Sequence, residues 1–386
     1  MPSSIWPKVV SSMHKKIKIL SAVLVFWIAL FIAWEWWYSF PKVRVIPVSE
    51  VNSKSLGIDS ILHQAMSTYL LPGISVAIVK NDEVFYLNAF GYKNLLTKDS
   101  LTVESAIVVA SVSKLFTALG LANTLNTKGI STHDPVSSLE LKGKVSASSL
   151  AKLRFQDLLT HQSGVRDKNF SEMIFSSSKS QVLKEWGAEF LQNSSTYHTD
   201  SISYNYADSN YDLLGYLISQ SENHDFHALI ENSVLASSGM TNSKFVTAWP
   251  IEDNGITGYQ KTFLWKRIEP KRISFPILPS PSSGLITTTK DMSIAITHLL
   301  RGQTGAFGKA LGWLTIDGSK VPLGFQKTQI EGREWVGHYG GQAGYSSLLF
   351  YSKEAETGIF LFSNSRDKED FRIEIARQII SYISPK

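Results

Sequence analysis

Between Ile19 and Trp34 the chain carries an apolar run in which Ser21 is the single polar side chain, and Trp36, Trp37 and Tyr38 extend it past Glu35. A helix of about twenty such residues is just long enough to cross the hydrocarbon of a bilayer. The start of the chain is therefore a membrane-spanning helix or a secretory leader, and the water-soluble fold lies on its C-terminal side. Lys8, Lys15, Lys16 and Lys18 precede the run, and Lys42 and Arg44 follow it. The excess of cations ahead of the helix places the N-terminus in the cytoplasm, with the tryptophans and Tyr38 at the outer interface. A cleaved leader has the same charged start but ends in small residues of the A-x-A kind. Ala33-Trp34-Glu35 is a poor substitute, and there is no cysteine for a lipoprotein anchor. The expected layout is a basic cytoplasmic segment over 1–18, a transmembrane signal-anchor over 19–39, a linker over 40–55, and a folded body over 56–384 in the periplasm or outside the cell.

The charge follows the same division. Residues 1–44 hold six basic side chains against Glu35, which accounts for the whole formal charge of +5 and leaves 32 basic and 32 acidic residues in the body. A neutral body lacks the basic footprint of a nucleic-acid-binding protein. With 43% hydrophobic and 18% charged residues the composition is that of a globular domain. The complete lack of cysteine excludes disulfides, thiolate nucleophiles and cysteine-ligated zinc.

Residues 74–80 and 83–92 read as two strands around an Asn81-Asp82 turn, and 345–351 with 357–362 as a second pair. Residues 368–382 read as an amphipathic helix with Phe371, Ile375, Ile379 and Ile380 on one side. The stretch from about 130 to 250, including 210–221, is patterned mostly for helix. The expected fold class is α+β: an antiparallel sheet built from both chain ends and flanked by helices, with an inserted helical subdomain.

Ala110-Ser111-Val112-Ser113-Lys114 opens an apolar helical run with an S-x-x-K pattern. Residues three apart share a helix face, so Lys114 can reach the Ser111 hydroxyl. Free N–H groups at a helix start favour the charge that develops there. A serine alcohol needs a base, and a desolvated lysine serves if its pKa is lowered. Taken alone, the pattern is weak, since S-x-x-K recurs by chance, and it reads first as an N-capping serine with an exposed lysine.

Further along stand Tyr204-Asn205-Tyr206-Ala207-Asp208, followed by Leu213-Leu214-Gly215, and later Gly337-His338-Tyr339-Gly340-Gly341. With these, the chain resembles the class C β-lactamase, D,D-peptidase and esterase superfamily, whose three ordered motifs are S-x-x-K, Y-x-N and K-T-G or H-x-G. Stretches at 71–77, 158–164 and 283–292 agree, so the resemblance spans residues 56–384. It implies Ser111 as the acylated nucleophile, Lys114 as its proton-transfer partner, and Tyr206 as the second acid or base. His338 would lend a hydrogen bond or a charge from its strand. Gly340 and Gly341 would let that strand approach the substrate, with the Ser111 and Gly341 N–H groups as oxyanion hole. Whether Lys114 or Tyr206 deprotonates Ser111 stays open.

Two departures bear on substrate. Asp208 replaces the asparagine of the second motif, and an ionised carboxylate accepts but does not donate; its other reading is a brace for Lys114. His338 replaces a lysine that supplies a permanent cation. Both shift expectation towards esterase or peptidase chemistry on amides, esters or D-amino-acid cell-wall peptides, with β-lactamase or D,D-carboxypeptidase activity, or a non-catalytic penicillin-binding or sensor module, as alternatives. The Pro-Gly often found ahead of the second motif is missing around Tyr197 to Ser203. His224 and His227 make a poor metal site for want of a third ligand, His161 reads as structural, and the aromatic residues outside the anchor read as core. No G-x-S-x-G elbow is present. No cofactor is implied; the expected partners are a small-molecule or peptide acyl substrate and, through the N-terminal helix, a membrane. Protein partners stay open.

Overall fold

The computed structural model describes residues 6–40, 56–141, 153–167, 183–192, 203–246, 255–271, 281–302, 307–316, 319–342, 344–366 and 370–384. Its centre is a seven-stranded antiparallel sheet in the order β3-β2-β1-β12-β11-β10-β9. The strands are β1 (Gly73–Lys80), β2 (Glu83–Asn94), β3 (Asp99–Ser100), β9 (Gln326–Ile330), β10 (Arg333–Gln342), β11 (Tyr345–Ser352) and β12 (Thr357–Ser363). The two chain ends meet where β1 pairs with β12, Ile74 opposite Ser363 and Lys80 opposite Thr357. Asn81 and Asp82 both take positive φ, 54° and 62°, as the two-residue turn between β1 and β2 requires.

Successive side chains of the central strands go to opposite faces. Ile74, Val76, Ile78, Leu348, Phe350, Ile359 and Leu361 pack with α2 (Leu56–Tyr69) and the C-terminal helix Phe371–Ile383. Ala77, Val79, Leu349, Tyr351, Phe360 and Phe362 pack with the layer that contains α3 (Ser113–Thr127) and the helix Thr289–Arg301. Both faces are covered, so these strands read as unbroken apolar runs. The C-terminal helix buries Phe371, Ile375, Ile379 and Ile380, as its periodicity predicts.

In sequence, α3, the helix Asp208–Glu222 and a small sheet in which β8 (Leu285–Thr287) joins β4 (Ile107–Val108) to β5 (Lys244–Phe245) fall between the strands contributed by the two chain ends. A separate hairpin, β6 (Tyr259–Lys261) and β7 (Ile268–Pro270), projects from the body. At the front of the chain α1 runs from Trp6 to Tyr38, and its segment Met13–Tyr38 is long and apolar enough to cross a membrane. Phe40, the first residue of the expected linker, bridges to Ile268 in β7. One expectation needs correction: Phe263 and Trp265, read as core, are 75% and 42% exposed at the hairpin tip. The rest of the linker and the segment ahead of Ser203 lie outside the described residues.

Candidate active site

Ser111 sits in a single 3-10 turn, Ala110–Val112, that runs directly into α3. Ala110 has a φ of 47°, a left-handed conformation that costs a residue with a β-carbon about 1–2 kcal/mol. Surrounding hydrogen bonds hold it there. Ser113 Oγ donates to Ala110 O at 2.6 Å and accepts from Leu285 N at 2.9 Å, while Ser347 Oγ donates to Val109 O at 2.7 Å. Strand β10 presses against the same turn: a β-carbon on Gly340 would lie 2.1 Å from Val109 O and 2.2 Å from Ser347 Oγ. Only glycine allows this approach.

Lys114 lies one turn into the helical run and is fully buried. Its Nζ donates to Asp208 Oδ1 at 2.6 Å, Ser282 O at 3.0 Å and Ser111 Oγ at 3.3 Å. An ammonium has three N–H donors and no acceptor, and here each donor has a partner. Burial alone would lower the lysine pKa, but the Asp208 carboxylate and then Tyr206 outweigh it, and the net shift is upward. The shift runs opposite to the one a lysine base needs, and its largest upward cause is the Asp208 carboxylate. Exposure of Lys114, the expectation for an isolated motif, is overturned.

Tyr206 and Asp208 come from the start of the helix Asp208–Glu222, whose first N–H groups, those of Asp208 and Ser209, are taken by the Asp167 carboxylate at 2.9 and 2.8 Å. That satisfies donors which a helix start leaves unpaired. The Tyr206 ring centre is 5.1 Å from Lys114 Nζ, 4.4 Å from the His161 ring and 6.3 Å from the His338 ring. His161 accepts at Nδ1 from Ala207 N. Burial and then the Lys114 charge push its pKa down to about 4.

His338, on β10, is 2% exposed. Its Nδ1 donates to Tyr339 O at 2.5 Å, since a carbonyl can only accept. Burial, reinforced by Lys114, lowers its pKa to about 3. A shift in that direction favours the uncharged ring at neutral pH, and with it the hydrogen-bonding role over the charge.

Gly341 follows on the same strand, with the Arg366 guanidinium donating to its carbonyl at 2.8 Å. Arg366 brings a permanent cation to this edge. A cleft of about 190 Å³ opens between His161, Tyr204, His338 and the 321–326 segment. A larger hollow of about 400 Å³, near Lys320, Glu334 and Lys353, shares Pro322 with that cleft but is lined by none of Ser111, Lys114, Tyr206 and His338. His227 is engaged by Asp225 and Val246 O, and no cluster of three His, Cys, Asp or Glu side chains suited to a metal occurs among the described residues.

The sequence reading missed Asp167, Ser282 and Arg366. Ser282 adjoins the Ser283-Gly284 stretch that was recognised, a usable signal; Asp167 and Arg366 reach the site only through the fold.

The antiparallel sheet covered by helices on both faces, with the residues gathered around Lys114 at its edge, is a β-lactamase-like fold. Residues 58–382 match the Beta-lactamase family model, and the chain belongs to that family. It is 23% identical over 334 residues to Protein flp of Staphylococcus aureus (strain NCTC 8325 / PS 47), covering 81% of this chain and 64% of that protein. The chain thus spans somewhat under two thirds of the length of that relative. A β-lactamase of Psychrobacter immobilis is 22% identical over 367 residues, 84% of this chain and 87% of the relative. Among solved structures, the D-amino acid amidase of Ochrobactrum anthropi SV3, determined with L-phenylalanine amide, aligns with a TM-score of 0.69 at 19% identity, over 86% of this chain and 99% of its own. A class C β-lactamase aligns at 0.68 and 18%, over 89% and 99%. At these identities the structural likeness is one of fold.

Proposed function

We propose that the chain is a serine hydrolase, anchored in a membrane by α1 with its body outside the cytoplasm, that cleaves amide or ester bonds through an acyl-enzyme on Ser111. The observation that carries this is the Lys114 ammonium, which gathers Ser111, Asp208 and Ser282, the last two 94 and 168 residues away in sequence, onto one nitrogen. With its donors engaged, Lys114 orients the Ser111 oxygen and stabilises the alkoxide as it forms. The group assigned to take the hydroxyl proton is Tyr206, beside that ammonium. The Ser111 and Gly341 N–H groups are assigned to the oxyanion, Gly340 permitting the approach of their strand. Tyr206 returns the hydroxyl proton to the departing nitrogen or oxygen. It then takes a proton from the water that attacks the ester on Ser111 and passes it to the Ser111 oxygen as the acid leaves.

Asp208 narrows the substrate. One carboxylate oxygen is taken by Lys114 and the group cannot donate, so a substrate that presents an amine or amide N–H suits it better than one that presents a carbonyl. D-amino-acid amides, esters and short peptides have that chemistry, and the D-amino acid amidase among the structural neighbours makes them the first class to try.

The test is to treat the detergent-solubilised full chain with a fluorophosphonate and digest it. A phosphonyl adduct on the Ser111 peptide, lost in Ser111→Ala, is expected; labelling that survives the substitution counts against the proposal.

A further inference from the structure

The β6–β7 hairpin is built onto the end of α1. Glu35, 1% exposed, accepts from Phe263 N at 2.8 Å and Leu264 N at 3.0 Å through its two carboxylate oxygens. Trp265 Nε1 donates to Ile32 O at 3.3 Å, and the Trp36 and Trp265 rings meet edge to face at 5.0 Å. The Arg267 guanidinium lies 4.3 Å over the Trp36 ring and donates to Ser39 Oγ and Ser39 O. The hairpin tip therefore stands level with Ile32 to Trp36. At about 1.5 Å per residue, that is roughly 3–9 Å back along α1 from Tyr38, towards the apolar run.

The tip presents Phe263, Leu264 and Trp265, 75%, 47% and 42% exposed, with Lys266 Nζ 5.9 Å over the Phe263 ring. Single exposed aromatics are ordinary on a soluble surface. Three exposed apolar side chains in a row, two of them aromatic, at the depth where a spanning helix leaves the hydrocarbon and beside its Trp34–Tyr38 collar, match the composition of a segment seated about 5–10 Å into the headgroup boundary. A lysine at such a tip extends its ammonium towards lipid phosphates.

Resting on the reading of α1 as an anchor, we propose that the β6–β7 hairpin is a second membrane contact, its Phe263-Leu264-Trp265 tip immersed in the outer leaflet beside α1. The body then does not swing on a tether. At the base of the hairpin Tyr259 N donates to Gly344 O and Asn364 O, and Arg366 N donates to Tyr259 O. These residues border the strand that carries Gly340 and Gly341, so the rim of the candidate site is held about one hairpin length from the lipid, roughly 17 Å at ~3.3 Å per residue from Tyr259 to Leu264. The occupant of the patch is the bilayer interface itself, indicated by its continuity with the spanning helix.

The lack of any cysteine makes the test clean. Phe263→Cys, Leu24→Cys on α1 and Asn232→Cys on the inserted subdomain are made singly in the full chain. Each is labelled with an environment-sensitive NBD dye and reconstituted in phosphatidylcholine vesicles with and without nitroxide-labelled lipid. Probes at 24 and 263 should lose most of their emission to the nitroxide lipid while the probe at 232 keeps it. Quenching at 24 with position 263 behaving like 232 overturns the hairpin contact and leaves the anchor standing. No quenching at 24 removes the anchor and the hairpin contact together. Should Phe263→Cys impair folding, Leu264→Cys gives the same reading.

Discussion

Replacing Asp208 with asparagine separates what its charge does from what its shape does. The Lys114–Asp208 pair is 2.6 Å long, with side chains 0% and 39% exposed. Removing one partner of a fully buried pair costs about 3–5 kcal/mol. Here solvent screens the carboxylate, and the asparagine oxygen still accepts from Nζ, so about 2 kcal/mol is expected. For a chain of this size that is a fall in Tm of about 3 °C. The pH dependence follows in sign. In the native chain the folded pKa of Lys114 is raised, so the pair contributes fully below the unfolded lysine value of about 10.4 and is lost only as pH rises through the folded value. In Asp208→Asn burial dominates and the folded value drops, so the penalty is largest near neutral pH and shrinks as pH rises. The same substitution turns an NH₂ towards the substrate while the oxygen stays on Lys114. One added hydrogen bond to a substrate amide carbonyl, about 1–1.5 kcal/mol, predicts roughly tenfold faster acylation by a fluorescent penicillin. Thermal melts across pH and stopped-flow acylation read both effects. An unchanged acylation rate refutes the donor argument, and an unchanged Tm refutes the pairing argument.

Gly340→Ala drives a β-carbon into Val109 O and Ser347 Oγ; displacement of the turn by even an ångström should slow acylation about a hundredfold, measured by burst kinetics on an activated ester. Ser347→Ala removes the hydrogen bond that holds Val109 O and should cost about 1 kcal/mol in urea unfolding. His338 and His161 fold with pKa values lowered to about 3 and about 4, so between those values and about 6.5 the unfolded chain binds more protons. Stability should hold above pH 6.5 and decline as pH falls below it, and urea titrations of His338→Gln should show a shallower decline.

Much of this was legible because it is written locally. The Asn81-Asp82 pair marks a turn that needs two positive φ values, and the Ser111–Lys114 spacing places two side chains on one helical face. The direction of the Lys114 pKa was not legible, since it depends on a carboxylate 94 residues away and a tyrosine beside it. The neutrality of His338 depends on burial by elements distant in sequence. Arg366 acts on Gly341 only because β12 and the closing helix bring it there. The hairpin at 259–270 has three-residue strands, too short for alternation to register, and its partner on α1 reads from sequence as nothing more than an apolar run.

The central claim is that Ser111 carries the acyl group, and turnover tests it most directly. Steady-state cleavage of a D-amino-acid amide and of a short activated ester by the native chain and by Ser111→Ala, at matched folding by circular dichroism, should show activity in the first and none above background in the second. Equal rates in both would contradict the account.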